Sequence, residues 1–137
     1  MPELRWDLGP TSEAATRDIR VEVLARYSAE HSQPLQDAWV FQYTVRITNQ
    51  GTETVQLVSR HWLITDALER TEEVKGPGVV GKQPVLAPGE SFKYSSWCPL
   101  KTPVGMMQGT YQMVGVDGKE FDIDIAPFVL KAPYTIN

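Results

Sequence analysis

AWVFQYTVRIT, residues 38–48, sets Val40, Gln42, Thr44 and Arg46 against Phe41, Tyr43, Val45 and Ile47. A period of two places these sets on opposite faces of an extended chain, and the aromatic and β-branched residues are those that pack well on a half-buried strand. Upstream the same period continues, with Ile19, Val21 and Val23 alternating with Arg20 and Glu22. Downstream, Asn49-Gln50-Gly51 supplies a turn, and VQLVSRHWLIT, closing near Asp66, supplies another strand. The two runs on either side of that turn are expected to pair as a hairpin.

Further out, a short charged strand over about residues 70–75 leads into Gly76-Pro77-Gly78, and Ala87-Pro88-Gly89-Glu90 has the order of a type II turn. Phe92, Tyr94, Ser96 and Cys98 then alternate with Ser91, Lys93, Ser95 and Trp97. Tyr111 to Val116, Asp117-Gly118 and EFDIDI form the clearest hairpin, with a type I′ turn expected at Asp117-Gly118 and Phe121, Ile123 and Ile125 on one face. No window after residue 18 keeps a helical period with caps, so no helical layer is expected. The fold class is all-β: an open, immunoglobulin-like antiparallel sandwich of about seven or eight strands. Residues 1–18 read as a loosely ordered N-terminal arm, 19–131 as the sandwich domain and 132–137 as a tail.

The chain has 137 residues, 42% of them hydrophobic, enough for one ordinary core. Thirteen basic against seventeen acidic side chains give a net charge of −4, which offers no field for phosphate backbones or anionic lipid, so nucleic-acid binding is not expected. No stretch approaches the run of about eighteen apolar residues of a membrane span, so membrane insertion is not expected either. Cys98 is the single cysteine, which excludes an intrachain disulfide and fits a reducing compartment. MPELRWDLGP lacks the apolar core of a signal peptide, and a cytoplasmic location is expected.

Gly76-Pro77-Gly78-Val79-Val80-Gly81 spells GxGxxG, and Lys82 follows it. In a dinucleotide fold such glycines precede a helix whose N-terminus holds the pyrophosphate, but Pro84, Pro88 and Gly89 forbid that helix here. Gln83 also stands where a P-loop needs a magnesium-binding hydroxyl, and Pro77 removes one N–H from any anion cradle. A structural loop needing positive φ angles is the favoured reading; the competing one is a phosphate loop made of Gly76, Gly78, Gly81 and Lys82, with Mg²⁺ accompanying the phosphate.

The other candidates are weaker. Cys98 shares a strand face with Phe92 and Tyr94, which predicts a buried, inert thiol. His31 and His61 have no second ligand at zinc spacing. Asp122 and Asp124 share a strand face that reads as solvated, and Glu69, Glu72 and Glu73 read as charges guarding an edge strand. Trp6, Trp39 and Trp62 read as core or interface anchors, while Trp97, opposite the Phe92 face, is placed for exposure. No complete catalytic constellation is present, and no enzymatic activity is expected.

The chain resembles the ApaG family over about residues 19–131. The resemblance is carried by FQYTVRITN at 41–49, RHWLITD at 60–66, GVVGKQP at 78–84, LAPGESFKYSS at 86–96 and CPLKTP at 98–103, then Gly105, Met107, Gly109, Tyr111, Phe121 and Phe128. It implies a fibronectin type III-like sandwich and a binding module with a protein partner, since the domain also occurs beside F-box machinery and in a polymerase-interacting protein. The family's name is associated with cobalt and magnesium efflux, and its glycine loop has been discussed as a pyrophosphate element, which carries over to Gly76, Gly78, Gly81 and Lys82. Pro77, Trp97 and Ala67-Leu68-Glu69 depart from the pattern: Pro77 weakens the phosphate reading, and an exposed Trp97 strengthens the interaction reading. The leading expectation is a non-enzymatic module for protein–protein interaction; the alternative is a binder of pyrophosphate or a dinucleoside polyphosphate at residues 76–82.

Overall fold

The computed structural model describes residues 6, 9 and 11–133. Nine strands follow in chain order: β1 (Ser12–Thr16), β2 (Ile19–Tyr27), β3 (Trp39–Asn49), β4 (Val55–Asp66), β5 (Thr71–Pro77), β6 (Val85–Leu86), β7 (Ser91–Leu100), β8 (Val104–Gly115) and β9 (Glu120–Lys131). One sheet runs β1-β2-β3-β7 and the other β5-β4-β8-β9, with β6 against β4. Their inward side chains meet in one buried cluster: Val21, Val23, Phe41, Val45 and Ile47 from the first sheet, and Leu57, Trp62, Met107, Tyr111, Ile123 and Leu130 from the second. Each such aliphatic or aromatic side chain contributes about 1.5–3 kcal/mol through removal from water. No helix among the described residues is long and apolar enough to cross a membrane.

The alternation expected for 38–48 holds for Phe41, Val45 and Ile47, which are fully buried, against Gln42 and Arg46, which are only partly so; Thr44 is the exception, buried on the other face with its hydroxyl against that of Ser95. The expected β3–β4 hairpin does not form. β3 is central, paired with β2 on one side and β7 on the other, so the chain leaves its sheet after Asn49 and enters the opposite one at Val55. Crossing sets the apolar faces of β3 and β4 against each other; pairing side by side would have left both uncovered. Asn49, buried at the crossing, holds it. Its Oδ1 accepts the Gly51 amide at 2.9 Å, and its Nδ2 donates to the carbonyls of Glu53 at 2.7 Å and Leu86 at 3.0 Å.

Two further expectations are corrected. Residues 12–16, assigned to the loose arm, form β1 and pair with β2 from Ser12 opposite Val23 to Thr16 opposite Ile19. Of the rest of the arm only residues 6, 9, 11, 17 and 18 are described, and of the tail only residues 132 and 133. The β8–β9 turn is not type I′: only Gly118 has positive φ (77°), and its amide donates to the Gly115 carbonyl, as in a type I turn closed by a glycine bulge. The type II turn at 87–90 forms as expected, with Gly89 at φ 87° and the Glu90 amide on the Ala87 carbonyl.

Two bulges reset which residues face inward. In β4 the register shifts between Leu57 and Ser59, so that Val55 and Leu57 and then Trp62 and Ile64 point to the core. In β9 the two residues Ala126 and Pro127 stand opposite Gln108, moving the inward set from Ile123 and Ile125 to Phe128 and Leu130.

Candidate interaction site

On one side of the sandwich β1 lies against β9, where the Asp124 amide donates to Thr16 Oγ1 at 3.1 Å. On the opposite side the last strands of the two sheets, β5 and β7, pair with no further strand along their outer edges among the described residues. Between their ends opens a cleft of about 300 Å³ lined by Ile64, Asp66, Arg70, Glu72, Pro99 and Leu100 among others. Sheet edges carry backbone donors and acceptors that a neighbouring chain can use, so the residues on each edge decide what that edge does.

On β5, the Asp66 amide bonds the Arg70 carbonyl and the Gly78 amide bonds the Val58 carbonyl, fixing the even-numbered residues as those whose backbone faces β4. By the alternation of an antiparallel ladder, the backbone groups of Thr71, Glu73, Lys75 and Pro77 face outward. Glu73 accepts His61 Nε2 at 2.7 Å and has Lys75 Nζ at 3.9 Å; the histidine hydrogen bond, followed by the lysine charge, holds its carboxyl below the usual range. Asp66 is also held low. Burial opposes its ionisation, but the backbone amide and guanidinium of Arg70 and the Leu68 amide outweigh it. The β5 edge is thus charged, and it ends on a proline.

The glycine loop follows directly. Gly78 (φ 61°) donates its amide to Val58, and Val79 and Lys82 exchange both backbone bonds, at 2.8 and 2.9 Å. Val80 (φ 43°) and Gly81 (φ 78°) form the two-residue tip, with the positive φ values of a type I′ turn. A Cβ on Gly78 would meet the Lys82 carbonyl oxygen at 2.3 Å. Gly76 is different. It lies within β5 without positive φ, and a Cβ there would meet the Arg60 guanidinium at 2.9 Å. That guanidinium donates from Nη1 to the carbonyls of Pro77 and Gly78, both at 3.0 Å. Of the proposed phosphate loop, then, Gly78 and Lys82 spend their amides on the protein itself, Pro77 has none, and Val80 and Gly81 at the exposed tip are left over.

β7 has a different character. Its register with β3, together with the Asn49 amide bonding the Glu90 carbonyl, turns the backbone of the even-numbered residues toward β3. The amides of Ser91, Lys93, Ser95 and Trp97 therefore face the open edge, and Pro99 occupies an outward position where its missing N–H breaks no ladder bond. Inward, the Tyr94 hydroxyl pairs with that of Tyr111, and burial raises the pKa of both. Burial, with a smaller contribution from Glu72, pushes the Cys98 thiol up to about 12, which makes it a packing residue. Outward, Trp97 is 44% exposed, with the His31 ring tilted against it at a centroid distance of 4.5 Å.

The remaining sequence candidates do not converge. His31 contacts Ser28 and Trp97, and His61 bonds Glu73 on β5. Asp122 and Asp124 are exposed on β9. Among the described residues, no three of histidine, cysteine, aspartate and glutamate come together to hold a metal ion. Sequence reasoning missed Arg60. Its only signal was a charged residue two places before Trp62, which the β4 bulge places on the inward face beside the tryptophan.

The family model for the ApaG domain matches residues 29–115. Protein ApaG of Bordetella pertussis is 55% identical over 120 residues, covering 88% of this chain and 92% of that protein. Protein ApaG of Thiobacillus denitrificans is 52% identical over 126 residues, covering 92% and 99%. A crystal structure described as a putative ApaA protein from Bordetella pertussis superposes with a TM-score of 0.84 at 54% identity, covering 89% of this chain and 99% of that one.

Proposed function

The chain belongs to the ApaG domain family, and from that premise we propose that it is a non-catalytic binding module that captures an extended segment of a partner protein along the free edge of β7. The single observation that carries this reading is the pairing of four outward amides, Ser91 to Trp97, with a tryptophan left 44% exposed beside them. A strand added to β7 alternates its side chains: one set packs on Trp97, and the other turns into the cleft floored by Ile64 and Leu100. Main-chain bonds supply affinity in this mode, and the two side-chain sites supply selectivity. Pyrophosphate at the glycine loop is the less favoured occupant, because the carbonyls of Pro77 and Gly78 face Arg60 and the amides of Gly78, Val79 and Lys82 are already bonded.

The test is site-specific photo-crosslinking in the source cell, with a photoreactive amino acid at position 93 on β7 or at position 73 on β5. Adducts with protein at 93 and none at 73 are expected. Absence of protein adducts at 93 would sink the reading, and amide shifts at Gly78 and Gly81 on adding pyrophosphate with Mg²⁺ would put the phosphate reading in its place.

A further inference from the structure

We infer that one occupant of the β7 edge is a second copy of this chain, the two β7 strands pairing antiparallel about a two-fold axis through Ser95. This rests on the reading of β7 as the binding edge. The argument is self-complementarity, which a two-fold contact requires. With Ser95 opposite its own copy, Lys93 faces the partner's Trp97, Trp97 faces the partner's Lys93, and Ser91 faces the partner's Pro99. Each of these residues turns its backbone outward, so the ladder uses every donor on the edge, and Pro99 falls at the ends, where its missing N–H forfeits least.

The side chains agree with this register. All the odd-numbered residues of β7 lie on the outer face, away from the core, so each Lys93 ammonium lies within reach of a tryptophan ring that His31 covers in part and that remains 44% exposed. Cation–π contact of this kind occurs twice in the dimer. Pairing shifted by two residues toward the start of the strand sets Lys93 diagonal to its own copy, and shifted the other way it sets Pro99 opposite Lys93, costing a bond inside the ladder. β5 offers no equivalent: Glu73, Lys75 and Pro77 occupy its outward positions. An edge-to-edge contact of about nine residues per chain is small, so the dimer is expected to be of the weak, reversible class.

The experiment is sedimentation equilibrium of the full chain from low micromolar to near-millimolar concentration, with Trp97→Ala and Lys93→Ala alongside. Both sites are exposed and neither substitution disturbs the core. A monomer–dimer equilibrium is expected, weakened about tenfold by Trp97→Ala and several-fold by Lys93→Ala, because two symmetric contacts are lost at once. A monomer at every concentration overturns the second copy as occupant but leaves the edge reading to be decided by the crosslinks at position 93, which then report other proteins or nothing. A dimer that both variants leave unchanged overturns its placement on β7.

Discussion

The two edges that flank the open side of the sandwich are built on opposite plans. β5 runs Thr-Glu-Glu-Val-Lys-Gly-Pro, carries the His61–Glu73 hydrogen bond and the Glu73–Lys75 ion pair, and hands over to a tight turn clamped from below by Arg60. β7 runs Ser-Phe-Lys-Tyr-Ser-Ser-Trp-Cys-Pro-Leu, with one charge and an exposed tryptophan. Charges and a terminal proline are the usual protection of an edge against unwanted pairing. Of these β7 carries only Lys93 and, near its end, Pro99 at its outward positions, and its amides from Ser91 to Trp97 stay open; the proposed partner rests on this contrast.

Acid and alkali should break the two edges separately, and the alkaline effect is the largest expected. Tyr43, Tyr94, Tyr111 and Cys98, all raised by burial, are neutral in the folded protein and ionise more readily when unfolded. Their contribution is complete below the unfolded values, near pH 9 for the thiol and pH 10 for the phenols, and is lost as pH rises above them. Urea unfolding at pH 7 and at pH 11 should show a loss of several kcal/mol, with tyrosinate absorbance appearing together with unfolding. Glu73 and Asp66 work the other way: held low, they support the β5 side above about pH 4, and that support is lost as pH falls through the folded values. Hydrogen exchange at pH 3 should therefore expose β5 amides before those of β7.

Next in size is Arg60→Met, which removes both charged hydrogen bonds to the turn carbonyls. It is expected to cost about 2–3 kcal/mol in urea unfolding, with amide shifts concentrated at residues 76–82. Replacing Glu72 and Glu73 together by Thr should leave the fold in place yet turn β5 into a second adhesive edge. Light scattering would then show association beyond a dimer; unchanged scattering would mean that charge is not what keeps β5 apart. The smallest effect is at the turn itself. Val80 holds φ 43°, a conformation β-branched residues avoid, and Val80→Asn creates the Asn-Gly pair preferred there, so a gain of roughly 1 kcal/mol in unfolding free energy is expected.

Most of the strands were legible because alternation and turn chemistry report local geometry. The Phe41 to Ile47 face, the strand guarded by Glu72 and Glu73, and the turn at Pro88-Gly89 all follow from neighbours in sequence. What was not legible depends on distant residues. Whether β4 lies beside β3 or across from it is decided by β7, about forty residues further on, which takes the place next to β3. Arg60 could not be placed because the β4 bulge mixes apolar and polar residues on both faces of the VQLVSRHWLIT pattern. In the glycine motif, positive φ was anticipated correctly for Gly78 and Gly81, whereas Gly76 is needed for the space under a guanidinium, a demand set by another strand. Trp97 was placed by period alone.

The crossing held by Asn49 also sets a timetable. β3 ends at residue 49 and its neighbour β7 begins at residue 91, so during synthesis one flank of β3 waits for a strand not yet made. At about 5–20 residues per second, that interval lasts on the order of 2–8 seconds. Throughout it, the nascent β2–β3 pair presents its own bare edge to whatever is near the ribosome, and β7 closes that edge only by becoming the next one.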